Sequence, residues 1–191
     1  GTIPWDAYDV DVVIDATGRF LKRDQLDAHL NSGAKRVFIS RNAEDPIDRY
    51  VIPGVNDSSI DSSDQIVSTT SSTTQVLALM VKMLDESFGL KRAMMTTVHA
   101  YTADQPLADA AGVDLRRSRS AVENIIPNST LAPSIVEDLM PQFTGKLDGI
   151  AFNVPVPNGS CVDLTTELSN TPSVEEANEA IKKYSESSLQ G

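Results

Sequence analysis

"QIVSTTSSTTQVLALMVKML", residues 65–84, opens as a strand and closes as a helix. Ile66 and Val67 are β-branched and suit a buried strand. A run of hydroxyls follows from Ser68 to Thr74. Val76, Leu77, Leu79, Met80, Val81, Met83, Leu84 and Phe88 then leave little polar face, which predicts a mostly buried helix stopped by Gly89. A strand-to-helix turn of this kind presents unpaired backbone N–H groups and positive potential, so it attracts anions and lowers the pKa of a thiol. Ser72 sits where the helix begins. The hydroxyls either only cap that helix or include a nucleophile.

Outward from this turn the chain alternates. "DVVIDAT" (11–17) reads as a buried parallel strand and "KRDQLDAHLNSG" (22–33) as a polar-faced helix, with Leu26 and Leu30 one turn apart and Gly33 as its stop. His29 is expected to face outward from that helix. "AKRVFIS" (34–40), "RYVIPGVN" (49–56) and "DQIVSTT" (64–70) read as further strands. Strand, helix, strand within about 30 residues is the βαβ pattern of a doubly wound α/β sheet. After Gly89 the pattern changes. "RAMMTTVHAY" (92–101) is a strand, and "IAFNVPVPNGSCVDLTTEL" (150–168) reads as one long strand interrupted by prolines. "SVEEANEAIKKYSE" (173–186) is an amphipathic helix, acidic at its start and basic at its end, capped by Ser173 or Thr171. Residues 101–128 show little periodicity, and loops that long are usually functional. Two domains are expected, with the boundary near Ser71.

Composition sets the limits. The 191 residues include 27 acidic and 16 basic side chains, a net charge of −11, which argues against general nucleic-acid binding. Cys161 is the only cysteine, so a disulfide framework is excluded and an intracellular protein is expected. It lies in a strand-like run and is expected to be buried. No apolar run reaches the roughly 18 residues of a membrane span, and no signal peptide is evident. The chain opens with Gly1 and has no methionine before Met80, which reads as a piece of a longer product.

Two features carry candidate chemistry besides Ser72. His99 ends a strand before the long loop, a common position for a catalytic base. Arg116, Arg117 and Arg119 in "DLRRSRS" are either a phosphate-binding cluster or a solvated charge run.

The residues also carry a family likeness. "IPWDAYDVDVVIDATGRF" (3–20), "AHLNSGAKRVFIS" (28–40), "VIPGVN" (51–56), "TTVHAYTADQ" (96–105), "DLRRSRSAVENIIPNST" (114–130) and "GKLDGIAFNVPVPNGSCVDLT" (145–165) keep one order along the chain. Together they resemble phosphorylating glyceraldehyde-3-phosphate dehydrogenase. The resemblance implies the C-terminal part of an NAD(P)-binding Rossmann domain over residues 1–71. An α+β catalytic domain with a mixed or antiparallel sheet would follow over residues 72–191, truncated at its C-terminus. It also implies aldehyde oxidation with NAD or NADP and phosphate in glucose metabolism, a phosphorylated aldehyde substrate, a cytoplasmic homotetramer, and no nucleic-acid, membrane or metal partner. The family's Gly-rich dinucleotide turn and its C-terminal helix are missing by comparison.

By the same resemblance, Ser72 occupies the nucleophile position and His99 that of the base. Ser71, Thr73, Thr102, Thr130, Asn153 and the Arg116–Arg119 cluster fall at phosphate or substrate positions. Thr17, Gly18, Arg19, Phe20, Ser40, Ala110 and Ala111 fall at cofactor positions. Five positions, Ser72, Gln75, Leu131, Ser134 and Asn153, depart from the pattern. The family's "SCTTN" reads Ser71-Ser72-Thr73-Thr74-Gln75, its "STG" turn reads Ser129-Thr130-Leu131, a following lysine is Ser134, and the arginine before "VP" is Asn153. Small residues at Asp109–Gly112, where strict NAD enzymes hold a Leu-Pro pair, resemble NADP-tolerant members. A serine hydroxyl is scarcely ionised at neutral pH, so impaired catalysis is expected. A divergent oxidoreductase, a non-catalytic nucleotide- or partner-binding paralogue, and a Ser72–His99 hydrolase all follow as readings. The hydrolase ranks last because no acidic residue is evident to orient His99.

Overall fold

A computed structural model describes residues 3–187 and Leu189. The two extreme ends of the expected domain division lie outside the described residues. By its contacts the chain forms two compact units, the first ending at Leu79 and the second covering Met80–Ser187. The division falls inside a single helix, Ser72–Phe88.

The first unit is built on a parallel sheet. Strands β1 (Val12–Asp15), β2 (Arg36–Ile39), β3 (Arg49–Tyr50) and β4 (Ile66–Ser68) lie in the order β1-β2-β4-β3, and every pairing is parallel. Helix α1 (Arg23–Asn31) connects β1 to β2. It starts where expected because Gln25 Oε1 accepts the N–H groups of Leu21 and Lys22, each at 3.1 Å. The core is Leu26 of α1 with Val37, Ile39 and Ile66, all essentially fully buried, flanked by Leu30, Ala43 and Ile47. All three residues of β4 are buried, as a central strand requires. β1, read from the sequence as a buried strand, is buried on one face only: it ends the sheet order, and its Val12 and Ile14 are exposed.

Two further expectations for this unit need correction. The strand over 49–56 stops after Tyr50, because Pro53 and Gly54 (φ 77°) turn the chain and Asn56 bridges the turn to Ile52 N and Tyr50 O. His29 does not face solvent. Its side chain is 17% exposed and packs between Trp5 and Phe20.

The second unit contains a mixed sheet. After α2 (Ser72–Phe88), Gly89 (φ 72°) admits β5 (Leu90–Ala100). With β6 (Ile126–Asn128), β7 (Leu147–Val154) and β8 (Ser160–Leu168) it forms the order β6-β7-β5-β8, where β5 and β7 are parallel and the other pairings antiparallel. The supposed single strand over 150–168 is therefore two, on opposite sides of β5. Pro155 and Pro157 lack ladder donors and Gly159 (φ 84°) reverses the chain. The aperiodic segment ends in β6. Helix α3 (Ala132–Leu139) was not anticipated, although Ala132, Ile135, Val136 and Leu139 recur at helical spacing. Gly149 on β7 lets it approach, since a Cβ there would lie 3.1 Å from Pro133. Helix α4 (Val174–Ser185) is capped by Ser173, whose Oγ accepts from Glu176 N at 3.2 Å. Cys161 is exposed, contrary to expectation, because strand alternation turns it to the open face of β8. No helix among the described residues is long and apolar enough to cross a membrane.

Acid–base pairing makes the first unit sensitive to acid. Arg49 grips Asp64 through both carboxylate oxygens, and with the N–H of Asp61 it holds that carboxyl below its usual range. Burial alone would raise Asp48. The N–H groups of Ile66 and Gln65 and the Arg23 guanidinium, at 2.8–2.9 Å, outweigh that and lower it. Both depressed values mean stability that is fully present above the unfolded carboxylate pKa of about 3.9 and lost as pH falls through the folded values. Urea unfolding followed by circular dichroism should therefore give a midpoint that is flat near neutrality and falls in acid. Asp64→Asn and Asp48→Asn should each lower the neutral plateau and flatten the acid limb.

Candidate functional site

Strand β4 delivers its last residue, Ser68, into a tight turn. Thr69 N donates to Ile39 O at 3.1 Å, so the turn is anchored to the neighbouring strand. Thr70 is fully buried and left-handed, with φ 64°. A β-branched residue there is strained and persists only because its surroundings over-determine it, here through Thr70 N donating to Ser68 Oγ at 2.9 Å. Ser71 then caps α2: its Oγ accepts Thr74 N at 3.2 Å and lies 2.8 Å from Thr74 Oγ1. Gln75 ties the first helical turn back to the strand by donating to Thr69 O at 2.7 Å. Most of the hydroxyl run is thus spent on the turn itself. Ser72, the first residue of α2, is exposed, and Thr73 beside it is buried.

The expected cofactor residues of this unit lie along the same edge of its sheet. Thr17, Gly18, Arg19 and Phe20 follow β1, and Ser40 follows β2. Asp15 Oδ1 organises the first loop by accepting Thr17 N at 2.8 Å and Thr17 Oγ1 at 2.6 Å. Arg41 links the loops, its Nη1 donating to Gly18 O at 3.5 Å while its carbonyl accepts Ser68 Oγ at 2.7 Å. The carboxyl ends of parallel strands are where open α/β sheets bind ligands.

In the second unit, register brings His99 of β5 opposite Asn153 of β7. Thr97, two residues earlier on the same face, places Oγ1 2.7 Å from His99 Nε2. Asn153 is buried. Its Nδ2 donates to Ala100 O at 3.2 Å, and its Oδ1 accepts from Asn128 of β6 at 3.4 Å. Thr130 Oγ1 accepts Ala132 N, the first N–H of α3, at 3.2 Å, while Leu131 holds the N-cap position. Leu131 has ordinary right-handed geometry with its side chain exposed, and Ser134 Oγ donates back to its carbonyl at 2.9 Å.

The segment over 101–125 is held by its own polar contacts. Arg117 and the Thr102 hydroxyl both engage Asp104, and Arg119 Nε donates to Asp109 at 3.1 Å. Ser120 N also donates to Asp109, at 2.8 Å, and together with Arg119 it holds that carboxyl below the usual range. Two of the three clustered arginines thus already have carboxylate partners, while Arg116 is exposed with its N–H on Asp114. A cavity of about 460 Å³ beside this segment is lined by Gln105, Ala110, Ala111, Arg117 and Ser118. Sequence reading missed Asp104 and Asp109, because each is separated from its arginine by ten or more residues with no periodic signal. The described residues contain no group of three or more His, Cys, Asp or Glu arranged to hold a metal ion.

Comparison with known proteins adds an independent line. Residues 71–191 match the family model described as glyceraldehyde 3-phosphate dehydrogenase, C-terminal domain. Over 99% of its length the chain is 47% identical to a glyceraldehyde-3-phosphate dehydrogenase of Mycobacterium bovis and 48% identical to one of Mycobacterium avium. It is 45% identical, again over 99% of its length, to glyceraldehyde-3-phosphate dehydrogenase 2 of Streptomyces avermitilis. It spans 56% of the length of each of these relatives.

The exposure of Cys161 is directly testable. A thiol reagent such as dithionitrobenzoate should titrate one thiol per native chain without denaturant, at the rate of an accessible cysteine. A thiol that reacts only after unfolding would contradict the open face assigned to β8.

Proposed function

This chain belongs to the glyceraldehyde-3-phosphate dehydrogenase family, and from that premise we propose that it supplies part of an NAD(P)-dependent aldehyde oxidoreductase whose phosphorylating chemistry is impaired. The observation that carries this reading is Ser72, exposed at the first residue of α2 where the family pattern has its nucleophilic cysteine. The sole thiol, Cys161, lies on β8 instead. On this reading residues 1–71 belong to the nucleotide-binding domain and residues 72–191 to the catalytic domain. The parallel sheet with loops at its strand ends supports the first assignment, and the family match from residue 71 supports the second.

A bound nicotinamide dinucleotide would supply the hydride acceptor. Thr17, Gly18, Arg19, Phe20 and Ser40 stand where a parallel sheet receives such a ligand, which suits them to hold it. The Ser72 hydroxyl sits at the positive end of α2, and His99 takes the role of base. Without a thiolate the aldehyde carbon meets a much weaker nucleophile, and an oxygen ester is a poorer acyl donor to phosphate. Asn153 offers an amide where the family has a guanidinium. Loss of a charge-assisted hydrogen bond worth roughly 1.5–3 kcal/mol should weaken phosphate-bearing ligands about ten- to a hundredfold. The engagement of Arg117 and Arg119 by Asp104 and Asp109 favours a second reading, a non-catalytic nucleotide- or partner-binding paralogue with a regulatory or structural role. A homo-oligomer, tetrameric by the family pattern, is part of either proposal.

The test is aldehyde- and phosphate-dependent NAD(P)H formation by a protein carrying this segment at the length of its relatives. Ser72→Cys should create an alkylatable thiol of lowered pKa without family-level activity. Adding Asn153→Arg and Leu131→Gly should raise the rate non-additively, since all three act on one substrate. Asn153→Arg alone should cost stability, because it places a guanidinium at a buried position and breaks the contact to Ala100 O. Family-level activity in the unmodified protein would overturn the impaired reading. Full activity from Ser72→Cys alone would overturn the phosphate-site part.

Cofactor choice gives a separate expectation. Small residues at Ala110, Ala111 and Gly112 should tolerate a 2′-phosphate. Equilibrium titration should give NAD and NADP affinities within about tenfold, a difference of roughly 1.4 kcal/mol. NADP binding weaker by more than that margin would refute it.

A further inference from the structure

We propose that His29 is a proton-gated latch that holds the turn bearing Trp5 against α1 and connects it to Asp15 at the root of the β1–α1 loop. All the groups involved lie in the first unit. Trp5 sits on the 3-10 turn Trp5–Tyr8, and its indole Nε1 donates to His29 Nδ1 at 3.1 Å. An indole N–H can only donate, so Nδ1 must be unprotonated and the proton of the neutral ring resides on Nε2. Nε2 lies 3.6 Å from Asp15 Oδ2, just beyond hydrogen-bond reach. Asp15 is 7% exposed. Its Oδ1 is occupied by Thr17, whereas Oδ2 has no hydrogen-bond partner among the described residues.

This arrangement has two states. With His29 neutral, the indole bond holds. A proton taken from solvent at Nδ1 turns that acceptor into a donor, and two N–H groups then oppose each other. The imidazolium at the same time gains a buried carboxylate oxygen that lacks a partner. The ring therefore exchanges Trp5 for Asp15. Phe20 lies edge-on to His29 with centroids 6.4 Å apart, so the movement also reaches the loop containing Thr17 and Gly18.

Other charges on the packed elements are committed elsewhere or exposed. Asp6, on the turn of Trp5, accepts from Ala7 N, and its own N–H donates to Ser32 O at 3.0 Å. Tyr8, Asp9 and Arg19 are exposed. Asp11 pairs with Lys35, Arg41 donates to Gly18 O, and on α1 Arg23 pairs with Asp27 and Asp48 while Asp24 accepts from Gln25 N. The turn otherwise rests flush on the end of α1: a Cβ at Gly33 would lie 2.6 Å from Asp6 Cβ.

Trp5 is the only tryptophan, so its indole is a dedicated reporter. The intact chain is titrated from about pH 5 to 8, the range in which imidazoles change charge, with NMR of the Trp5 indole N–H and the His29 ring. The two signals should move together with one midpoint. His29→Gln keeps an acceptor for the indole but cannot titrate, and should abolish the Trp5 response. Asp15→Asn removes the carboxylate that receives the ring, so the His29 and Trp5 signals at the acid end should differ from those of the unmodified chain. A Trp5 indole that stays flat while His29 titrates would overturn the latch. So would a Trp5 response that survives His29→Gln, or acid-end signals unchanged in Asp15→Asn.

Discussion

Much of the first unit depends on the handover from β4 to α2. β4 is a central strand, buried at all three residues, and it must pass the chain to a helix within a few residues. A helix start leaves backbone N–H groups unpaired. Ser71 takes one of them, Gln75 returns a hydrogen bond to Thr69 O, and Thr70 accepts a left-handed conformation to bend the chain. The density of hydroxyls in this stretch follows from that constraint. Once Ser68, Thr70, Ser71 and Thr74 are committed to the turn, Ser72 is the exposed hydroxyl left at the positive end of the helix. The same geometry that would activate a thiol does little for an alcohol, whose intrinsic acidity is far lower.

The second unit organises its polar groups by strand register. Opposition of His99 and Asn153 across β5 and β7, with Thr97 two residues away and Asn128 of β6 bonded to Asn153, collects polar side chains at one end of this sheet. Anion-binding capacity is shaped differently. Two of the arginines that make the local sequence look strongly basic are turned onto Asp104 and Asp109. Any phosphate would have to compete with these carboxylates, and both pairs are exposed enough for solvent to weaken them.

The sequence by itself determined the elements whose signals are local. The short apolar runs of β1, β2 and β4, the one-turn spacing of Leu26 and Leu30, the Ser173 cap of α4 and the stop at Gly89 all arise within a few residues of chain, so they were legible. The order of long motifs likewise marked the family. Tertiary structure decided what depends on partners distant in sequence. Whether Cys161 and His29 face inward is set by which neighbour covers each face, and Trp5, 24 residues from His29, is invisible to any local pattern. The split of residues 150–168 into strands on opposite sides of β5 depends on sheet order, which prolines hint at but cannot specify. The pairing of Arg117 with Asp104 and of Arg119 with Asp109 depends on how the 101–125 segment folds back on itself. Charge on a sequence is additive, whereas charge available to a ligand is what remains after such pairs have formed.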